Sequence, residues 1–257
     1  MNITTILIVA AVIAVLLVLD RVYTKYSPAK SRALWRRPDL EFKPSLTNQG
    51  HYLVFDVETN GLPKSYTASP EKTKNWPRVV QMAWMLFDKS GGLIDSSVDI
   101  IRGNFTVPVE SSAIHGITKQ ISDEQGVDIV TVLNKFKASV NKCQVLVAHN
   151  MDFDYPIVQA EFIRLEKWKT FAGKKLVCTM KPNTEVVGIP KIRGNSYKFP
   201  ELTELYGKLF YQNAFKTFDP QGTDDELVAV KLTAKCFFWL MHLDYGYRFQ
   251  KVFQHVY

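Results

Sequence analysis

Two carboxylates stand two residues apart at the end of an apolar run, Tyr52-Leu53-Val54-Phe55-Asp56-Val57-Glu58-Thr59-Asn60-Gly61. The run is rich in β-branched and aromatic residues, so it reads as a buried strand. Positions i and i+2 of a strand share one face, which puts Asp56 and Glu58 side by side. Two acids on one face of a core strand repel each other and cost desolvation unless a cation lies between them. Oxygen donors at this spacing suit Mg²⁺ or Mn²⁺. The plainer reading is an amphipathic strand with two solvated acids. Further acidic positions follow in order. Asp154, in His149-Asn150-Met151-Asp152-Phe153-Asp154, opens a helix after a short buried strand, and Asp224 or Asp225 opens the last helix. Strand ends and helix starts meet at one edge of an open α/β sheet. Four carboxylates gathered there would hold two divalent ions about 3.5–4 Å apart.

The elements that must position these groups are legible as pattern. After the first strand comes a polar loop, Pro63 to Pro77, containing Lys64, Lys72, Lys74 and Trp76. Val79 to Phe87 reads as a second strand, Gly91-Gly92 as a hairpin turn, and Leu93 to Ile101 as a third strand. Ser122 with Gln125 has the form of a capping box. Ile129, Leu133, Phe136 and Val140 then mark a helix. Val145-Leu146-Val147-Ala148 is fully apolar and predicts a central, parallel strand. Pro156 suits the first turn of the next helix, whose apolar face is Val158, Phe162 and Leu165. Leu176 to Cys178 reads as a strand and Phe199 to Leu209 as a helix. Leu227, Val230, Ala234, Phe238 and Met241 share one face of a final helix. Three antiparallel strands followed by strand–helix alternation predict an α/β fold, a mixed sheet flanked by helices.

Charge and cysteine usage bound the rest. The formal charge of +7 is concentrated at the front: residues 1–50 hold 7 Lys/Arg against 3 Asp/Glu, and residues 51–257 hold 25 against 22. Any basic surface on the folded part must therefore be local. The 3 cysteines, Cys143, Cys178 and Cys236, are far apart and form no CxxC, which argues against both a disulfide framework and a thiolate metal site. Ile3 to Leu19 carries no charge and is long enough for a bilayer span, which needs about 17–25 residues. No Lys or Arg precedes it and no small-x-small cleavage site follows, so a cleaved signal peptide fits poorly. Arg21, Lys25, Lys30, Arg32, Arg36 and Arg37 all follow it, which by the positive-inside rule keeps the rest of the chain in the cytoplasm. The expected organisation is a transmembrane anchor over 1–20, a basic juxtamembrane linker over 21–50 and a catalytic domain over 51–257. Part of the linker's charge could hold anionic lipid.

Phe55-Asp56-Val57-Glu58-Thr59-Asn60-Gly61, Ile114-His115-Gly116-Ile117-Thr118 and Ala148-His149-Asn150 with Phe153-Asp154, in this order, resemble the DEDD superfamily of 3′–5′ exonucleases. That superfamily has the ribonuclease H-like fold and includes the proofreading epsilon subunit of bacterial DNA polymerase III and ribonuclease T. The resemblance runs from residue 51 to about residue 242. It implies a metal-dependent 3′–5′ exonuclease whose partner is a single-stranded DNA or RNA 3′ end. Asp56, Glu58, Asp154 and Asp224 (or Asp225) would be the ligands of two Mg²⁺ or Mn²⁺ ions. Thr59, Asn60 and Gly61 would lie against the terminal nucleotide, and Leu62 would wedge beside its base. His115 would stand near the substrate or, on the plainer reading, be a helix-start residue whose ring bonds the backbone. Asn150 and His149 would brace the site loop, and Asp152 would be a solvated neighbour.

The sequence departs from that family at one place. Relatives carry a histidine five residues before the last ligand, or a tyrosine four before. Here those positions are Asp219 and Pro220, or Pro220 and Gln221 if the ligand is Asp225. Asp219 is the remaining candidate for the general base. A catalytically weak or inactive binding module is the alternative function.

Overall fold

The computed structural model describes residues 41–165, 171–214 and 227–243. The apolar stretch Ile3–Leu19, the linker as far as residue 40, and Asp219, Asp224 and Asp225 lie outside the described residues. Among the described residues no helix is long and apolar enough to cross a membrane.

Six strands make one sheet in the order β4-β3-β2-β1-β5-β6. The central strand β1 (Tyr52–Thr59) pairs antiparallel with β2 (Val79–Phe87), with Phe55 opposite Trp84. On its other side β1 pairs parallel with β5 (Val145–Ala148), with Leu53 opposite Leu146. Outward from these, β3 (Leu93–Arg102) pairs antiparallel with β2, β4 (Val127–Asp128) parallel with β3, and β6 (Lys175–Cys178) parallel with β5. The β2–β3 hairpin closes because Asp88 Oδ1 accepts from the amides of Ser90 and Gly92, while Gly91 takes φ 87°. Glycine adopts that conformation at no steric cost.

Alternation along β1 sorts the layers. Leu53, Phe55 and Val57 face a core shared with Leu133, Phe136 and Val140 of α3 (Ile129–Lys142) and with Ile157, Val158 and Phe162 of α4 (Met151–Arg164). Phe136 packs its ring against Phe55 and Trp84 at centroid distances of 5.6 and 5.4 Å. Val54 faces the other way, into a cluster with Met85, Phe87 and Val147 that is closed by Val230, Ala234, Phe237 and Phe238 of α7 (Val228–Leu243). Asp56 and Glu58, in register with Val54, belong to this second face. A third cluster, Val187 of the short α5 (Thr184–Val187), Leu205 and Tyr206 with Leu232 and Cys236, seats α6 (Leu202–Tyr211) on α7.

Several local expectations are corrected. Ser122 does not cap: it is buried inside α2 (Lys119–Gln125), where its hydroxyl donates to the Ile101 carbonyl at 2.7 Å. Thr118 caps that helix instead by accepting from the Ile121 amide, and Asp128 caps α3 by accepting from Val130 and Thr131. Pro156 lies inside α4 rather than in its first turn, because the helix begins at Met151. The helix expected from Phe199 starts at Leu202, after Pro200, with Glu201 and Glu204 forming the capping box. Residues 42–50, read as linker, pack on the domain. Phe42 lies against Phe87 and Phe238, Ser45 accepts no strand role but its amide donates to the Leu93 carbonyl, and its hydroxyl donates to Asp88.

Candidate active site

The site is built where β1 outruns β5. Pairing between the two ends at Val54 and Val147, and β5 stops at Ala148. Past that point the Val57 amide has no strand partner on this side, and a buried amide must find an acceptor. Asp154 supplies it: its Oδ1 accepts from the Val57 amide at 3.2 Å. Asn150 makes this possible by taking a left-handed conformation, φ 75° and ψ 53°, which turns the chain from β5 straight into α4. Asp154 then falls in the first turn and is 2% exposed. Asp152, on the same turn, faces out and pairs with Lys181, so it is an ion-pair partner rather than a merely solvated neighbour.

The three acids are electrostatically expensive. Burial pushes Asp56 up to about 6. Burial and then the Asp56 charge push Glu58 up to about 8. Burial, followed by the Asp56 charge, holds Asp154 well above the usual carboxylate range, against the opposing Val57 amide. Among the described residues none of the three has an ion-pair partner. Carboxylates that are half-buried (Asp56, Glu58) or buried (Asp154) and push one another toward the neutral form are a donor set suited to a cation. Their chemistry, oxygen-only and anionic, fits a hard divalent ion such as Mg²⁺ or Mn²⁺. Among the described residues no three His, Cys, Asp or Glu side chains close on a single ion position by themselves. The candidates for a further ligand, Asp224 and Asp225, lie outside the described residues.

The residues expected to touch substrate divide into two groups. Thr59 and Asn60 shape the turn. Thr59 Oγ1 donates to the Gly61 carbonyl at 2.7 Å. Asn60 Oδ1 accepts from the Arg78 amide and its Nδ2 donates to the Thr106 carbonyl. Gly61 and Leu62 are the ones left facing outward: a Cβ on Gly61 would meet nothing within 4 Å, and Leu62 is 75% exposed. His115 ends α1 (Val109–His115) rather than starting a helix. Its Nδ1 accepts from the Ile117 amide, which fixes Nε2 as the donor to the Thr59 carbonyl at 3.2 Å. The ring thus ties α1 to the end of β1. Asn150 contributes backbone, its carbonyl accepting from the amides of Phe153 and Asp154, and its side chain makes no capping bond. His149 braces the loop, bridging Thr179 Oγ1 and the Pro200 carbonyl at 3.0 Å each, and burial lowers it to about 4.

One positioning group escaped the sequence reading. Glu161 is 1% exposed, and its Oε1 accepts from Arg78 Nε at 2.8 Å and from the Val79 amide at 3.1 Å, with Arg164 Nη1 at 3.0 Å. Arg164 also donates to the carbonyls of Thr73 and Trp76. The α4 helix therefore carries Asp154 at one end and at the other clamps the loop that begins at Asn60. The signal was present: a carboxylate between Val158 and Phe162, on the apolar face, is a charge in a core position.

A mixed sheet covered by helices, with clustered acids beyond the carboxyl end of its central parallel pair, puts the chain among α/β domains whose sites lie at that edge. The family model described as Exonuclease (RNase_T) matches residues 53–208, and the chain belongs to this exonuclease family. Solved structures share the fold. Exonuclease I of E. coli in complex with a dT13 oligonucleotide is 15% identical, with a TM-score of 0.52 over 78% of this chain and 42% of that one. A product-bound exonuclease I structure gives 16% identity and a TM-score of 0.54 over 77% and 46%. Exonuclease I of Methylocaldum szegediense gives 18% and 0.51 over 74% and 40%. The chain thus spans less than half the length of these proteins. Among curated proteins none matches the sequence.

Proposed function

We propose that the protein is a divalent-metal-dependent 3′–5′ exonuclease that hydrolyses phosphodiester bonds at single-stranded nucleic-acid 3′ ends. The observation that carries this is the trio Asp56, Glu58 and Asp154 at the end of β1, the first two half-buried and the third buried, with no ion-pair partner among the described residues. Membership of the exonuclease family supports it, as does the oligonucleotide held by the E. coli protein of like fold. Asp56, Glu58 and Asp154, with Asp224 or Asp225, would hold two Mg²⁺ or Mn²⁺ ions. Such ions supply a nucleophilic water and charge stabilisation on the transferred phosphoryl group. Gly61 and Leu62 form the outward edge on which a terminal nucleotide would rest. His115 and His149 do not take the water's proton as they stand, since both nitrogens of each ring are engaged. That leaves Asp219 as the candidate base.

We further propose that Ile3–Leu19 anchors the chain in a membrane with the exonuclease domain on the cytoplasmic side. Support comes from the uncharged run and the basic residues that follow it.

The test is the full-length protein in detergent with 5′-labelled single-stranded DNA or RNA and Mn²⁺. The expected result is a ladder of shortened labelled strands, abolished by chelator and by Asp56→Ala. A wild-type protein that leaves both strands intact, while still binding them, would establish the binding-module alternative.

A further inference from the structure

The sheet has a second chemically distinct edge. At the start of β1, opposite the carboxylates, lie Lys43, Lys89, Lys142, Lys174 and Lys175, of which Lys89, Lys142 and Lys175 stand near His51. Lys89 follows β2, Lys142 ends α3, and Lys174 and Lys175 open β6, so the topology alone brings them to one end. Lys43 joins them through the pairing of its carbonyl with the Leu93 amide, and Lys174 Nζ donates to the Cys143 carbonyl at 2.6 Å. The crowding is felt electrostatically: burial and then the charges of Lys89 and Lys175 lower the His51 imidazole. Three acids lie at this end. Asp88 is consumed by its bonds to Ser45, Ser90 and Gly92, Glu41 is exposed at the point where the described chain begins, and Asp95 is exposed on β3 opposite Leu86, so five lysines face two uncommitted acids. Between the lysines lies an open, polar pocket of about 510 Å³ lined by Gln49, His51, Lys89, Lys142 and Gln144. Beside it Leu46 is fully exposed, an apolar side chain at the tip of a basic face.

We infer that this basic edge is a docking surface for an anionic lipid bilayer, with phosphate-bearing headgroups against the lysines and Leu46 at the interface. Three observations favour lipid over the other polyanion, nucleic acid. The edge lies at the far end of β1 from the carboxylates, about 20 Å away at the rise of a strand. The chain enters the domain at this same edge, through residues 41–50 that pack on the β2–β3 hairpin. The stretch from Asp20 to residue 40 that joins it to the uncharged Ile3–Leu19 can reach about 70 Å at most and carries six more basic residues. Clustered lysines next to a membrane segment are what recognises acidic headgroups. The inference rests in part on the proposed anchor but is tested apart from it.

The full-length protein is mixed with vesicles of phosphatidylcholine alone or with 30% phosphatidylserine, and backbone hydrogen exchange is followed. The comparison is with Lys89→Glu/Lys142→Glu/Lys175→Glu, substitutions at exposed sites remote from the nuclease site. Flotation with the neutral vesicles reports the anchor by itself. The expected result is slowed exchange over residues 43–51, 87–92 and 140–145 with serine-containing vesicles only. The triple variant should lose that protection, since each lysine near a charged surface is worth roughly fivefold in binding. Equal exchange with both vesicle types would overturn the inference, whether or not the protein floats. Equal protection of these segments by a single-stranded oligonucleotide in neutral vesicles would also overturn it, and would make the edge a nucleic-acid track.

Discussion

Asp56, Glu58 and Asp154 set the pH behaviour of the metal-free protein. Asp56 rises from 3.8 to about 6 and Glu58 from 4.5 to about 8 on folding. Groups raised in the folded state contribute stability that is full below their unfolded values and is lost as pH rises through the folded ones. His149, lowered from 6.5 to about 4, acts in the opposite sense, and its contribution is lost as pH falls. Below pH 6.5 the two oppose each other; above it only the acids act. Without metal, the melting temperature should therefore fall between pH 6.5 and about pH 8.5, and Asp56→Asn should flatten that fall while removing Mn²⁺-dependent cleavage. Saturating Mn²⁺ should restore the loss in the wild type only, a result read directly by thermal melts. Asp219→His provides a second check. A missing or misplaced base costs about 10²–10⁴-fold in rate, so the variant should gain activity toward neutral pH, where an imidazole titrates. Cleavage in the wild type unchanged by both Asp219→His and Asp219→Ala would exclude this residue as the base. The shared face of Asp56 and Glu58 was legible from their spacing, whereas Asp154 was singled out from Asp152 only by the resemblance to the exonuclease motif. The Val57–Asp154 bond was not legible, because it depends on β5 stopping short of β1, a matter of strand length that no local pattern encodes.

At the scale of elements, α4 is the part that links the site to the loop beside it. Glu161 holds Arg78, Arg164 and the Val79 amide on one buried oxygen. Breaking a buried ionic cluster from one side costs roughly 3–5 kcal/mol because the remaining charges are left uncompensated. Glu161→Ala should lower the denaturation midpoint accordingly and weaken cleavage through the displaced Asn60 turn. Glu161→Gln, which keeps an acceptor for Val79, should lose less of both. The sequence reading placed β1, β2, β3, α3 and β5 well, since each is a clear apolar run or a clear helical periodicity bounded by turn residues. It misjudged ends. Ser122 and Gln125 have capping-box spacing, but the helix was already running, and tertiary packing under Ile101 claimed the serine. Pro156 was read as a helix start because proline favours that position. The left-handed turn at Asn150, invisible to that rule, starts α4 five residues earlier.

The sheet has unlike ends, acids at one end of β1 and lysines at the other. If the lysine end rests on the bilayer, the nuclease end projects about 20 Å into solution, the length of the strand. That distance has a meaning in electrolyte. The field of a charged leaflet decays over about 8 Å at physiological salt but over about 30 Å at 0.01 M. At physiological salt an incoming phosphodiester chain would therefore not sense the lipid beneath the enzyme, and cleavage on serine-containing and neutral vesicles should proceed at the same rate. On lowering the salt to about 0.01 M the two rates should separate, with the serine-containing vesicles slower, because the screening cloud then reaches the acid end of β1. The length of β1 would thus act as a stand-off, keeping one polyanion out of the ionic atmosphere of another.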